Sequence, residues 1–210
     1  MKVTILTLTF FFVLAYSFAQ KASKEGMTYD KENSMYYRIS NDEQYLYLNF
    51  YKDEYVQKIT SLGGIKIFLN MNGKKDTMNV PYIVYPVYNR SKKDYEEIET
   101  SGFSGVPEGR MSVFNEYGIV GESKIMALSG KNWYSKDRSV FQSQITIPLN
   151  GLRIDKNKNI SIMILLRGLR LVQPPLGAIR GAGMNSNLEE EALWSHIDDW
   201  TWSWVEYELK

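Results

Sequence analysis

Residues 45–51, with the sequence YLYLNFY, alternate strictly between apolar and amphipathic side chains. The two leucines and the phenylalanine lie on one side of this period of two, and the three tyrosines and the asparagine lie on the other. The pattern predicts a β-strand with one face in a core. The turn signal Asn41-Asp42 precedes it, so residues 36–40 (YYRIS) are predicted to form its antiparallel partner.

The segments that follow predict two short helices and several more strands. Residues 53–62 carry an N-cap aspartate and a one-sided apolar pattern that ends at a Gly-Gly pair, as a short helix would. Residues 91–99 have the composition of a second short helix, and residues 130–138 are predicted to be a polar turn. Further strands are predicted at residues 65–69, 80–86, 111–114, 118–128, 141–149, 160–167 and 200–209.

Many short strands, few helices and regularly spaced turns together predict an all-β fold. We expect an antiparallel β-sandwich with one or two short helices in its loops. Residues 34–210 are predicted to form a single domain that follows a polar leader at residues 20–33. A loop rich in glycine and proline occupies residues 173–187, and long loops in compact domains tend to carry function.

The first 19 residues have the three parts of a cleaved signal peptide. Lys2 gives a short positive start, residues 3–15 are uncharged and largely apolar, and residues 17–19 (SFA) have the small-x-small form of a cleavage site. The apolar part is shorter than the ~17–25 residues that span a bilayer. We therefore expect export to the periplasm or the cell exterior, with no transmembrane segment after cleavage.

Composition limits the classes of partner. The 210 residues include 25 basic and 24 acidic ones, a net charge of +1, which argues against a nucleic-acid partner because such a partner favours a basic face. The chain has no cysteine, so an exported form has no disulfides and depends on its core. Its many tyrosines, phenylalanines and tryptophans favour a pleated sheet.

Several short segments occur in an order that resembles a known fold. They are residues 37–48 (YRISNDEQYLYL), 57–59 (QKI), 63–65 (GGI), 72–75 (NGKK), 144–149 (QITIPL), the glycine-rich loop and 197–200 (IDDW). In this order they resemble the family 9 carbohydrate-binding module fold and its DOMON-like relatives, and most closely the uncharacterised exported bacterial domains of that fold. The resemblance covers most of the chain after residue 19. It implies a sandwich that binds sugars in some members and haem in others.

The tryptophans provide the candidate ligand-binding surface. On the last predicted strand, Trp200, Trp202 and Trp204 point to one side together with two glutamates. If the other side faces the core, these indoles form a flat platform that can stack on pyranose rings. A β-bulge, or cover by the glycine-rich loop, would bury them instead, and both alternatives stay open. Trp194 and Trp133 are predicted in loops, where they either line a cleft or pack.

Motifs for catalysis and cofactors are weak, and no catalytic residues are assigned. His196 is the single histidine, and neither a Gly-x-Ser-x-Gly elbow nor a His-x-x-Glu-His motif occurs. Haem binding, which the resemblance implies for some relatives, would pair His196 with a methionine, but no spacing supports a particular pair. The glutamate runs at residues 96–99 and 189–191 are typical of solvated faces.

Calcium is the remaining cofactor to consider. Some sugar-binding modules of this fold hold calcium, and this chain has oxygen ligands near predicted strand ends. None of them matches a metal-loop motif, so the metal, if any, stays unassigned. These ligands are Asp30, Asn41, Asp42 and Asp53.

Three functions from different classes follow from these observations. The first is an exported non-catalytic binding domain that holds a carbohydrate on an aromatic surface. The alternative is a structural or protein-interaction domain of the cell envelope, with an envelope protein as its partner and no sugar ligand. The third is a hydrolase, which would need two carboxylates in one pocket.

Overall fold

The computed structural model describes residues 23–60, 64–88, 95–104, 108–114, 119–120, 128–154, 158–168 and 199–210. These residues form two antiparallel β-sheets with one hydrophobic core between them, which confirms the predicted all-β sandwich. The predicted signal peptide and the glycine-rich loop lie outside the described residues.

The first sheet has five strands. They are β1 (Thr28–Asp30), β2 (Met35–Asn41), β3 (Tyr45–Lys52), β9 (Ser129–Tyr134) and β10 (Phe141–Pro148). Their order across the sheet is β1-β2-β3-β10-β9, and every neighbouring pair is antiparallel. The predicted hairpin of β2 and β3 is therefore confirmed. Within the segment expected to be a polar leader, three residues form β1.

The second sheet has seven strands. They are β4 (Ile65–Asn70), β5 (Tyr82–Tyr88), β6 (Tyr95–Ser101), β7 (Gly109–Phe114), β8 (Ile119–Val120), β11 (Asn159–Leu166) and β12 (Thr201–Glu208). Their order is β12-β11-β4-β5-β6-β7-β8. The last strand of the chain therefore lies at one edge of this sheet in the described part of the chain.

The core follows directly from the period-two pattern of β3. Leu46, Leu48 and Phe50 are at most 2% exposed, and they belong to one buried cluster with Ile162 and Ile164 of β11. Each such side chain stabilises the fold by about 1.5–3 kcal/mol relative to an exposed position. In a chain without cysteine, this cluster holds the two sheets together.

The two predicted helices have different outcomes. Residues Gln57–Thr60 form α1, so the first helix is present but has only four residues. The second prediction is wrong, because Tyr95–Ser101 is strand β6, which pairs with both β5 and β7. Tertiary strand pairing overrides the local helix preference of its glutamates. A short 3-10 turn, Leu149–Gly151, follows β10.

Candidate functional site

The outer face of the five-stranded sheet carries two aligned rows of side chains. Because the strands are in register, β2, β3, β10 and β9 each contribute one residue to each row. The first row, here called the polar row, consists of Arg38, Asn49, Gln144 and Lys131. The second, here called the aromatic row, consists of Tyr36, Tyr51, Gln142 and Trp133, and β1 extends it with Tyr29.

A groove of about 480 Å³ lies over the polar row and over the end of the aromatic row that Gln142 and Trp133 form. Arg38, Asn49 and Gln144 line it on the sheet side, and Trp133 lines it with an indole that is 52% exposed. Residues 23–27, which precede β1, contribute another part of the lining. The volume lies within the range of roughly 300–1,000 Å³ that is usual for small-molecule sites.

Lys24 fixes this preceding segment against the aromatic row. Its Nζ atom lies 4.8 Å from the ring centroid of Tyr36 and 5.8 Å from that of Tyr51. The same ammonium forms an ion pair with Asp53 at 3.0 Å, and this carboxylate raises the pKa of Lys24. The lining that residues 23–27 provide is thus anchored by one cation that contacts two rings and one acid.

Trp133 lies on a strand, which corrects the prediction of a polar turn at residues 130–138. Its strand, β9, places Gly130 and Tyr134 inward and Lys131 and Trp133 outward. A Cβ atom at Gly130 would lie 2.9 Å from the ring of Tyr85, so glycine is required there for the two sheets to pack. The inward glycine breaks the apolar alternation, and this is why the sequence pattern conceals the strand.

The chemical groups of the groove are complementary to a neutral or anionic polar ligand. Asn49, Gln142 and Gln144 offer amides that both donate and accept hydrogen bonds. Arg38 and Lys131 only donate. An exposed indole beside such groups combines an apolar stacking surface with hydrogen bonding.

The predicted tryptophan platform on β12 has its indoles on the outer side of the sheet. Trp202 is 53% exposed and Trp200, just before the strand, is 43% exposed, whereas Trp204 is half-buried. On the opposite side of β12, Val205 and Tyr207 pack against the core. The outward orientation is therefore present. Trp194, the remaining candidate of the five, lies outside the described residues.

The sheet around these indoles is apolar and aromatic. Trp202 pairs with Leu165 of β11, and Leu165 pairs on its other side with Lys66 of β4. The Nζ atom of Lys66 lies 3.8 Å from the ring centroid of Tyr82 and 4.7 Å from that of Phe68, and burial lowers its pKa. This surface offers hydrophobic contact, whereas the groove offers amides and cations beside its indole.

A buried polar network, which the sequence pattern did not predict, joins the two sheets. Asn33, 2% exposed, donates to Asp30 Oδ2 at 2.7 Å and to the carbonyl of Ile164 at 3.1 Å. Ser203 donates to Asp30 at 2.5 Å, and Thr201 donates to Asn33 Oδ1 at 2.8 Å. The segment around β1 is thereby hydrogen-bonded to β11 and β12.

Two buried lysines adjoin this network. Lys52 Nζ donates to the carbonyl oxygens of Asn33 and Ser34 at 2.6 and 2.9 Å, and Lys58 Nζ donates to Thr201 at 3.1 Å. Burial lowers the pKa of Lys52 to about 8, with a further contribution from the charge of Lys58. Burial also lowers the pKa of Lys58. Lys52 occupies an inward-facing position in the alternation of β3, so the period of two by itself indicates that this side chain is buried.

The candidate calcium ligands have separate structural roles. Asp30 belongs to the buried network, and Asp53 pairs with Lys24. Asp42 accepts a hydrogen bond from the Tyr47 hydroxyl, which lowers its pKa, and two more from the backbone of the β2–β3 turn, which lower it further. Asn41 accepts from the backbone N–H of residue 210. No group of three or more acidic or histidine side chains suited to a metal occurs within the described ranges.

The structure describes only some of the remaining candidate residues for catalysis or cofactor binding. His196 and the acidic run at residues 189–191 lie outside the described residues. In the run at residues 96–99, Glu99 accepts hydrogen bonds from the Tyr82 hydroxyl at 3.1 Å and from Arg110 Nε at 3.2 Å. It is therefore held on the outer face of the second sheet, away from the groove.

Comparison of the chain with protein-family models, with curated proteins and with solved structures found no match. In the described part of the chain, no helix has the length and apolar character that a membrane span requires.

Proposed function

We propose that this chain is an exported, non-catalytic carbohydrate-binding domain whose ligand lies in the groove of the five-stranded sheet. The observation that carries the proposal is the exposed indole of Trp133 in the same groove as the amides of Asn49, Gln142 and Gln144. Sugar rings have apolar faces and hydroxyl edges, so they need both kinds of group at once. Export rests on the signal-peptide pattern of residues 1–19.

The proposal that the domain is non-catalytic rests on the number of carboxylates that line the groove. Glu25 is the one carboxylate among the described residues that line the groove. Glycoside hydrolysis by the usual mechanisms needs two carboxyl groups placed roughly 5–10 Å apart across the sugar. The groove therefore supports binding better than hydrolysis.

The experiment compares two equally exposed tryptophans on opposite sheets. We expect Trp133→Ala to weaken binding to the glycan that an array identifies by about 30-fold, since truncation of a central aromatic contact costs about 2 kcal/mol. Trp202→Ala is the matched control, because its indole is 53% exposed against 52% for Trp133. Circular dichroism checks that both variants fold.

The outcomes separate the groove from the predicted β12 platform. Loss of glycan binding in Trp202→Ala with full binding in Trp133→Ala would transfer the sugar site to β12. Absence of binding to every glycan on the array would refute the proposed function.

A second function, a protein-interaction domain of the cell envelope, is favoured by one observation. Trp200 and Trp202 are exposed at the outer face of the second sheet, at its edge strand β12 in the described part of the chain. Exposed aromatic side chains are typical anchors of protein interfaces. Recovery of one envelope protein by the wild type but not by Trp202→Ala, without competition by sugars, would support this function.

A further inference from the structure

Two cations stand at the ends of the polar row in the groove. Arg38 on β2 and Lys131 on β9 are both exposed. In the part of the chain that the structure describes, neither lies within 4.0 Å of a carboxylate, whereas Lys24, Lys75 and Arg110 each do. Their positive charges are therefore available to a ligand.

The groove is positive in a chain that is almost neutral. Its described lining contains the cations Arg38 and Lys131 and a single acid, Glu25, whereas the whole chain of 210 residues has a net charge of +1. An excess of one sign of charge in a cleft attracts ligands of the opposite sign. The local excess of positive charge thus favours an anion.

The position of the two cations determines the direction of the ligand. Arg38 and Lys131 are separated by three strand-to-strand steps of about 4.8 Å, so their backbones lie roughly 14 Å apart. A ligand that contacts both must cross the strands, and on this path it passes Asn49 and Gln144. An extended oligomer matches this backbone separation.

Resting on the proposed function, we infer that the groove binds an acidic oligosaccharide, a chain of pyranose rings that carries carboxylate groups. Arg38 pairs with one carboxylate through two parallel N–H donors, and the ammonium of Lys131 pairs with another. The amides of the polar row bind ring hydroxyls, and Trp133 stacks on a ring. The near-zero net charge of the chain disfavours nucleic acid as the anion.

The test compares acidic oligosaccharides with the same sugars after their charge has been removed. Isothermal titration calorimetry at low salt measures binding of galacturonate, mannuronate and glucuronate oligomers and of their methyl esters. We expect at least one acid to bind about tenfold more tightly than its ester, and we expect this preference to fall as salt is added.

Variants assign the preference to the two cations. Arg38→Gln and Lys131→Gln are each expected to weaken binding of the acid about fivefold and binding of the ester by a smaller factor, so that the preference for the acid falls. Lys74→Gln is the matched control, since it removes the same unit charge from an exposed position in the β4–β5 turn, outside the groove. It is expected to bind like the wild type.

Each other outcome overturns the inference, and the pattern shows whether the proposed function survives. Equal binding of acids and esters, or of neutral glycans alone, that still depends on Trp133 would refute acidic specificity and keep the carbohydrate-binding function. Absence of binding to the whole acidic panel would refute the inference. Single-stranded DNA that binds as tightly as the acids would show that the groove recognises charge alone, and this would also refute it.

Discussion

In the wild type, we expect the free energy of unfolding to rise between about pH 7.5 and pH 9.5 because of Lys52. Replacement of Lys52 by methionine is expected to remove this rise. Lys52 is fully buried, and burial lowers its pKa from the ordinary 10.5 to about 8. Between these two values the unfolded chain holds a proton that the folded protein does not hold. Raising the pH through this window therefore favours the folded protein.

The magnitude follows from the pKa shift. The difference is 10.5 − 8 = 2.5 units, and at about 1.4 kcal/mol per unit it corresponds to about 3 kcal/mol in total. About 2 kcal/mol of this falls between pH 7.5 and pH 9.5. This gain in stability from Lys52 is complete above 10.5, the pKa of the lysine in the unfolded chain, and it is lost as the pH falls through about 8. Tyr51 and Tyr82, whose pKa values burial raises, act in the opposite direction above about pH 10, but they are common to both proteins.

Urea unfolding followed by tryptophan fluorescence at several pH values measures this effect. Lys52→Met also loses the hydrogen bonds to the carbonyls of residues 33 and 34, so the slope with pH, not the absolute stability, is compared. Lys74→Met, at an exposed position, should keep the slope of the wild type. Parallel curves for wild type and Lys52→Met would refute the assignment of a low pKa to Lys52.

Three further predictions concern packing and hydrogen bonding. Gly130→Ala should destabilise the protein by about 1–3 kcal/mol in urea unfolding, because its Cβ would meet the ring of Tyr85 at 2.9 Å; unchanged stability would contradict this packing. Asn33→Ala should lower the unfolding free energy by about 2–4 kcal/mol, since it leaves buried partners unpaired, and a change below about 1 kcal/mol would exclude an essential network. Lys24→Ala should leave the melting temperature close to that of the wild type, as an exposed ion pair contributes little to stability, and a clear drop in thermal melting would contradict this.

The sequence predicted those parts of the fold where local periodicity and burial agree. The alternation at residues 45–51 places β3, its turn and its partner because every inward position is apolar. The sequence predicts Trp133 in a loop because Gly130 interrupts the apolar alternation of β9. Glycine is needed at this inward position because a Cβ atom there would meet the ring of Tyr85 on the other sheet. Such a constraint leaves no periodic signal in the local sequence.

The candidate site was predictable only in part, because it depends on strand order. Trp133 was among the predicted ligand residues, but Arg38 and Lys131 enter the site only through the register of β2, β3, β10 and β9. The buried network has the same limitation, since Asn33 and Ser203 are 170 positions apart in the chain. Sequence spacing therefore identifies single residues and cannot place them beside one another.

The hydrogen bonds between the Asp30 region and β12 have a consequence for the groove on the opposite sheet. Asp30 ends β1, and the residues just before β1 form part of the groove lining. Proteolytic removal of β12 would take away Thr201 and Ser203, and it would leave Asp30 and Asn33 without those partners. Loss of β12 would thus loosen one side of the groove from a distance, although none of the residues that line the groove belongs to β12.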